Sequence, residues 1–189
     1  MQPSRTALIL VDVQKGFDDP VWGRRNNPDA EKRMVRLLSA FRERGAAVFH
    51  VQHLSTNPNS PLHPGKPGCA LKDEVGPLPG EPTLTKKVNS CFIGTSLEEE
   101  LRKQEIEALV ICGLTTDHCV STTARMGANL GFRVHVASDA TATFERVGPD
   151  GHSYPAQLMH DTALASLNEE FAIVGTSDML IQKLFTEPA

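Results

Sequence analysis

At 189 residues and a formal charge of −4, the chain is long enough to bury one core without metal or disulfide staples, and residues 1–189 are expected to form a single domain. No dense Lys/Arg cluster supplies the electrostatic footprint of a nucleic-acid or anionic-membrane binder, so a small molecule is the expected partner. Cys69, Cys91, Cys112 and Cys119 are too few and too irregularly spaced for a disulfide scaffold and form no C-x-x-C pair, so reduced thiols are expected.

The N-terminal stretch MQPSRTALILVDV has no basic region followed by a long apolar run and a cleavage site, and no apolar run approaches roughly 18 residues. A cytoplasmic protein is expected. Thr6 to Val13 is a short β-branched and apolar run, the pattern of a strand covered on both faces of a parallel sheet. Asn27 and Pro28 then read as an N-cap and first-turn proline, and Ala30, Met34, Leu37, Leu38 and Phe41 recur at helical spacing until Gly45 ends the helix.

Ala46 to His53 reads as a second strand. Prolines at 58, 61, 64, 67, 77, 79 and 82 exclude regular structure from the following stretch, and a loop that long is usually functional. TLTKKV is a short extended piece. GTSLEEELRKQ opens a helix, with Thr95 or Ser96 as cap and acidic residues in the first turn, where the helix dipole favours them. EALVICG is the next strand, followed by a turn carrying Cys119, a helix to about Leu130, the strand FRVHVAS, a helix from about Pro155 to Asn168 and a last strand in EFAIVGT.

Six near-continuously apolar strands alternating with helices predict an α/β fold: a doubly wound, mainly parallel six-stranded sheet in three α-β-α layers. Ligands of such sheets bind outside the carboxyl ends of the strands, where the strand order reverses. Asp12 and the Thr115 to Cys119 turn both lie at strand carboxyl ends, and the common order 3-2-1-4-5-6 would make their strands neighbours.

Read alone, each candidate has a plain alternative. Cys119 fits a small apolar core residue, or a nucleophile whose pKa of roughly 8.5 is lowered by the backbone N–H groups of a helix start. Asp12 fits a turn cap or a general base, and Lys86 fits an exposed loop lysine or a cation that stabilises thiolate and carboxylate together.

Three stretches settle on one resemblance. LILVDVQKGF, LTKKVNSCFIGTSLEEEL and LVICGLTTDHCVSTTARMGANLGFRVHVASDATATF stand in the order and at the spacing of the isochorismatase-like cysteine hydrolase superfamily, which this chain resembles over most of its length. The resemblance implies a catalytic Asp12, Lys86 and Cys119, with Lys86 preferred over Lys87 because it lies six residues before Phe92. It also implies a cis peptide bond between Leu114 and Thr115, an oxyanion hole made by the backbone N–H groups of Thr115 and Cys119, and a homo-oligomer, dimer or tetramer.

The nicotinamidases of this superfamily bind a metal through an Asp-x-His pair after the second strand and a further histidine. Here the matching place holds His53 and Ser55, so neither metal nor cofactor is expected. His50 and His53 are three apart, which sends them to opposite faces of a strand. His53 remains a candidate substrate contact or a structural histidine. Phe17, Trp22 and Phe92 are candidate apolar walls of the site and would look the same as core residues. His118 is expected to support the turn, Cys91 stands where many relatives have alanine, and His152 and Tyr154 could close the pocket or meet a neighbouring subunit.

The expected activity is hydrolysis of a small carboxamide or ureido-type C–N bond through a Cys119 thioester. The alternatives are an isochorismatase-type vinyl ether hydrolase, which uses the aspartate without the cysteine, and a non-catalytic small-molecule binder of the same fold.

Overall fold

A computed structural model of the chain describes residues 3–185. Its elements are β1 (Thr6–Val11), α1 (Ala30–Arg42), β2 (Ala47–His53), β3 (Thr83–Lys86), α2 (Leu97–Lys103), β4 (Ala108–Leu114), α3 (Ser121–Asn129), β5 (Arg133–Ala142), β6 (Arg146–Val147), β7 (Ser153–Tyr154), α4 (Ala156–Leu167), β8 (Ile173–Gly175) and α5 (Ser177–Phe185). Six strands form one sheet in the order β3-β2-β1-β4-β5-β8, every neighbouring pair parallel, and β6 and β7 make a separate antiparallel hairpin.

Alternation along the strands assigns side chains to two apolar layers. Leu8 and Leu10 of β1 pack with Met34, Leu37, Leu38 and Phe41 of α1 and with Leu180 of α5. Ala7, Ile9 and Val11 point the other way, into a layer with Leu97 and Leu101 of α2, Val120 and Ala124, and Leu164 and Leu167 of α4. The period-2 pleat of a strand produces this split, and helices on both faces explain why each strand reads as continuously apolar. Among the described residues, no helix is long and apolar enough to cross a membrane.

The structure corrects or refines the local expectations at four places, deciding for Thr95 where either Thr95 or Ser96 was a candidate cap. Helix α1 begins at Ala30 rather than at the Asn27–Pro28 pair, because the Asn27 amide is used elsewhere: it donates to the carbonyls of Ser138 (3.0 Å) and Thr141 (2.7 Å). Ser96 precedes α2 without a side-chain cap bond, whereas the Thr95 hydroxyl accepts from Leu97 N at 3.2 Å and donates to the Cys91 carbonyl. Strand β5 runs on to Ala142, two residues of β4 spanning five of β5 at an irregularity. Helix α5, beyond the last expected strand, is held by Asp139 from that irregularity, whose carboxylate accepts from Ser177 N (2.6 Å) and Ser177 Oγ (2.8 Å).

The long loop between β2 and β3 is tied down rather than loose. Lys15 N donates to Ala70 O and Lys72 N to Val13 O, both at 2.9 Å, so the loop runs beside the segment that follows β1. The buried Lys72 ammonium reaches Asp18 (2.6 Å) and Glu31 (2.9 Å), and Arg25 grips Glu31 with two bonds of 2.8 and 2.7 Å. Burial pushes the Glu31 carboxyl up, but the hydrogen bonds and charges of Arg25 and Lys72 outweigh it and hold the pKa at about 2. Because this folded value lies below the usual glutamate value of about 4.3, the stabilisation is present above that value and is lost as pH falls toward 2. Glu31→Gln is expected to cost about 3 kcal/mol at neutral pH. In urea titrations the variant and the parent should converge in acid; an equal gap at every pH would contradict the assignment.

Candidate active site

The carboxyl ends of β3, β2, β1 and β4 lie side by side, and each delivers one group. Asp12 follows β1 in a left-handed conformation with φ of 52°, its N–H donating to Val51 O at 2.8 Å. His53 ends β2 and Lys86 ends β3, the two paired in register. Near the end of β4, Gly113 has φ of 120°, and a Cβ there would overlap the Val11 carbonyl oxygen, so only glycine lets β4 lie this close to β1. The Leu114–Thr115 peptide bond is cis, and Thr116–Val120 form a π-helical turn that carries Cys119 into α3.

Lys86 starts two strands away from Asp12, roughly 10 Å at the usual strand spacing, a gap suited to the four-carbon lysine stem. Its ammonium donates to Asp12 Oδ2 at 2.6 Å and to Cys119 Sγ at 3.3 Å, and lies 3.4 Å from His53 Nδ1. Asp12 and Lys86 are buried, and Cys119, at 8% exposed, is the most open of the three. The other carboxylate oxygen, Asp12 Oδ1, is buried with no hydrogen-bond partner among the described residues, and Asp12, His53 and Cys119 present ligand atoms within 4.8 Å of one another.

The protonation states differ from the expectation of a lowered thiol pKa. Burial, then the Asp12 charge, pushes the Cys119 thiol up to about 12, with Lys86 and Asn89 opposing. Burial raises Asp12 to about 6 against the pull of Lys86. Burial favours the neutral amine of Lys86, but the Asp12 charge outweighs it and the ammonium is retained. At neutral pH the resting arrangement is therefore thiol, carboxylate and ammonium. Burial is the larger reason and the neighbouring anion the second: a thiolate beside Asp12 would place two negative charges on one cation in a dry site. Asp12 and Cys119 are close enough to titrate as a pair, the first proton leaving near pH 6.

Asn89 was not singled out in the sequence. Its exposed side-chain amide donates to Cys119 Sγ at 3.6 Å, from the open side of the site. The only signal was an amide three residues after Lys86, in the same motif. The turn itself is braced from behind. Asp117 accepts a short hydrogen bond from Thr143 Oγ1 and another from Arg146 Nε at 3.0 Å, and Thr116 Oγ1 meets His160 Nδ1 at 2.9 Å. His118 is exposed, 3.6 Å from Asp117.

The aromatic candidates separate. Phe17 stacks with Phe144 (6.1 Å between ring centres), Trp22 lies against both, and the Trp22 indole donates to Gly16 O at 2.7 Å. Phe92 instead packs on Phe132 and faces Gly127 of α3. His152 and Tyr154 meet edge to face in the β6–β7 hairpin. Cys91 is buried, its N–H donating to Thr123 Oγ1, and its thiol is held neutral by burial first and the Asp12 charge second. Cys112 is likewise buried in β4.

Asp12, His53 and Cys119 are the kinds of group that bind a soft divalent metal, but the Lys86 ammonium contacts all three and would oppose a second cation. Ser55 Oγ accepts from Asn57 N in a turn and supplies no second ligand beside His53. The residues present do not fit the metal of the nicotinamidases.

The isochorismatase domain family matches residues 6–179. The isochorismatase family protein YrdC of Bacillus subtilis, whose function is uncharacterised, is 50% identical over 94% of this chain and 95% of its own. Streptothricin hydrolase of Streptomyces noursei is 35% identical over 89% of this chain and 67% of its own. A solved structure from Chromobacterium violaceum, assigned to the hydrolases of the same family, matches with a TM-score of 0.93 at 41% identity, covering 97% of this chain and 95% of that one.

Proposed function

Because the chain belongs to the isochorismatase family of hydrolases, we propose that it cleaves a C–N bond of a small carboxamide or ureido compound through a thioester on Cys119. The observation that carries this reading is one ammonium in contact with both Asp12 and Cys119, at 2.6 and 3.3 Å.

Asp12 accepts the thiol proton as Sγ attacks the carbonyl carbon, and the C=O electron pair moves onto oxygen. The backbone N–H groups of Thr115 and Cys119 receive that oxyanion, which is where preorganised donors lower the barrier most. Collapse breaks the C–N bond, and the departing nitrogen takes the proton from Asp12. The regenerated carboxylate then draws a proton from water, whose oxygen attacks the thioester; collapse breaks the C–S bond and releases the carboxylic acid, and Asp12 returns the proton to the departing sulfur. Lys86 stays charged throughout, so the negative charge moves between sulfur and carboxylate beside a fixed cation. Phe17 and Trp22 supply an apolar wall for the substrate, and streptothricin hydrolase is a relative with a named hydrolytic activity.

A panel of primary amides, ureido acids and lactams, with isochorismate alongside, tests the reading. The expected result is release of ammonia or amine from at least one C–N substrate, with an acyl adduct on Cys119 seen by mass spectrometry after rapid acid quench. Turnover of isochorismate alone, with no adduct, would replace it with the ether-hydrolase chemistry.

A further inference from the structure

An ammonium carries three protons, and its direction is fixed only when all three have acceptors. Lys86 has two in Asp12 Oδ2 and Cys119 Sγ; the third position faces His53 Nδ1 at 3.4 Å. We propose that His53 is a positioning residue for Lys86: its Nδ1 takes the third proton and so holds the other two on Asp12 and Cys119. This rests on the thiol-hydrolase reading above and assigns His53 a role other than substrate contact.

The histidine is itself held in place at several points. Gln14, fully buried just after β1, donates to His53 O at 3.0 Å and accepts from His53 N at 2.9 Å through Oε1. The same Gln14 amide donates to Cys69 O at 2.7 Å, fastening the long loop to this point. On the other side, Leu54 N donates to Lys86 O at 2.8 Å, which ties the ends of β2 and β3 together. A neutral ring with its proton on Nε2 leaves Nδ1 as the acceptor. Burial and the neighbouring Lys86 charge favour that neutral form.

The role acts through Lys86, which sets its test. Cys119 alkylation by iodoacetamide, followed site by site by mass spectrometry, reads thiol activation without a substrate. His53→Phe is expected to slow Cys119 alkylation about tenfold, the scale of coupling between residues in one hydrogen-bond network. His53→Asn, which keeps an acceptor near the position of Nδ1, should recover most of the rate. In a Lys86→Met background, His53→Phe should change nothing further. Parental rates in His53→Phe, no recovery in His53→Asn, or an undiminished effect in the Lys86→Met background would each overturn the assignment. Failure of the underlying reading looks different: the unaltered protein would then form no acyl adduct on Cys119 with any C–N substrate, whatever the alkylation rates of the His53 variants.

Discussion

With Cys119 changed to alanine, turnover of any amide cleaved by the parent protein is expected to fall by at least about 10⁴-fold, the scale seen when a covalent nucleophile is removed. Loss of the thiol removes the bond-forming atom, while Asp12 and Lys86 keep their 2.6 Å contact and their burial. The thermal midpoint should therefore change little, which separates a chemical defect from a folding one. Cys119→Ser should be nearly as inactive, because an alkoxide beside Asp12 is harder to form than a thiolate. Steady-state rates with circular dichroism melts check this. Activity within tenfold of the parent would mean the substrate is attacked without the thiol, as in vinyl ether hydrolysis.

Asp12→Asn is expected to lower the rate by about 10³- to 10⁴-fold, at the upper end of what a general base contributes, because the same group acts in both halves of the proposed cycle. The parent protein should also show a rate rising with pH through about 6, where the buried carboxyl loses its proton and becomes able to accept one. That inflection should vanish from whatever activity the variant retains. Stability carries the opposite sign. Asp12 has a folded pKa raised above its unfolded value, so its contribution is fully present below about 3.9 and is lost as pH rises through about 6. Ionising Asp12 thus costs stability where it gains activity, and the Lys86 ammonium limits that cost. A profile in which rate follows an ordinary thiol near 8.5 would remove Asp12 as the base.

The split between Glu31 and Asp12 illustrates how far sequence reasoning reaches. Both are acidic residues near the start of the chain, yet Glu31 is drawn well below its usual range by Arg25 and Lys72 while Asp12 is pushed above its own by burial. Lys72, which helps draw Glu31 down, lies 41 residues from it in sequence, and Lys86, which opposes the Asp12 shift, lies 74 residues from Asp12. The raised thiol pKa of Cys119 belongs to the same class of surprise. A helix-start argument uses only neighbours along the chain, whereas the governing charges come from β1 and β3. Asn27 resembles a cap in sequence but does not act as one for a similar reason, since its amide donates to acceptors 111 and 114 residues downstream. Helix α5 did have a local signal, Ser177 followed by Asp178, but the cap that secures it comes from Asp139.

What the sequence by itself determined is the layered sheet and the set of groups at its carboxyl edge. Continuous apolar strands alternating with helical periods admit few arrangements, and the residues ending those strands must emerge on one side. Three ordered motifs were enough to name Asp12, Lys86 and Cys119. Only the tertiary structure decided what those groups are chemically: which of them carries a proton, why the metal-like trio of Asp12, His53 and Cys119 is already centred on an ammonium, and how Asn89 comes to face the sulfur. The physical reason is that backbone pattern is a short-range property, while protonation and hydrogen-bond direction depend on burial and on charges brought within a few ångströms by chain segments remote in sequence.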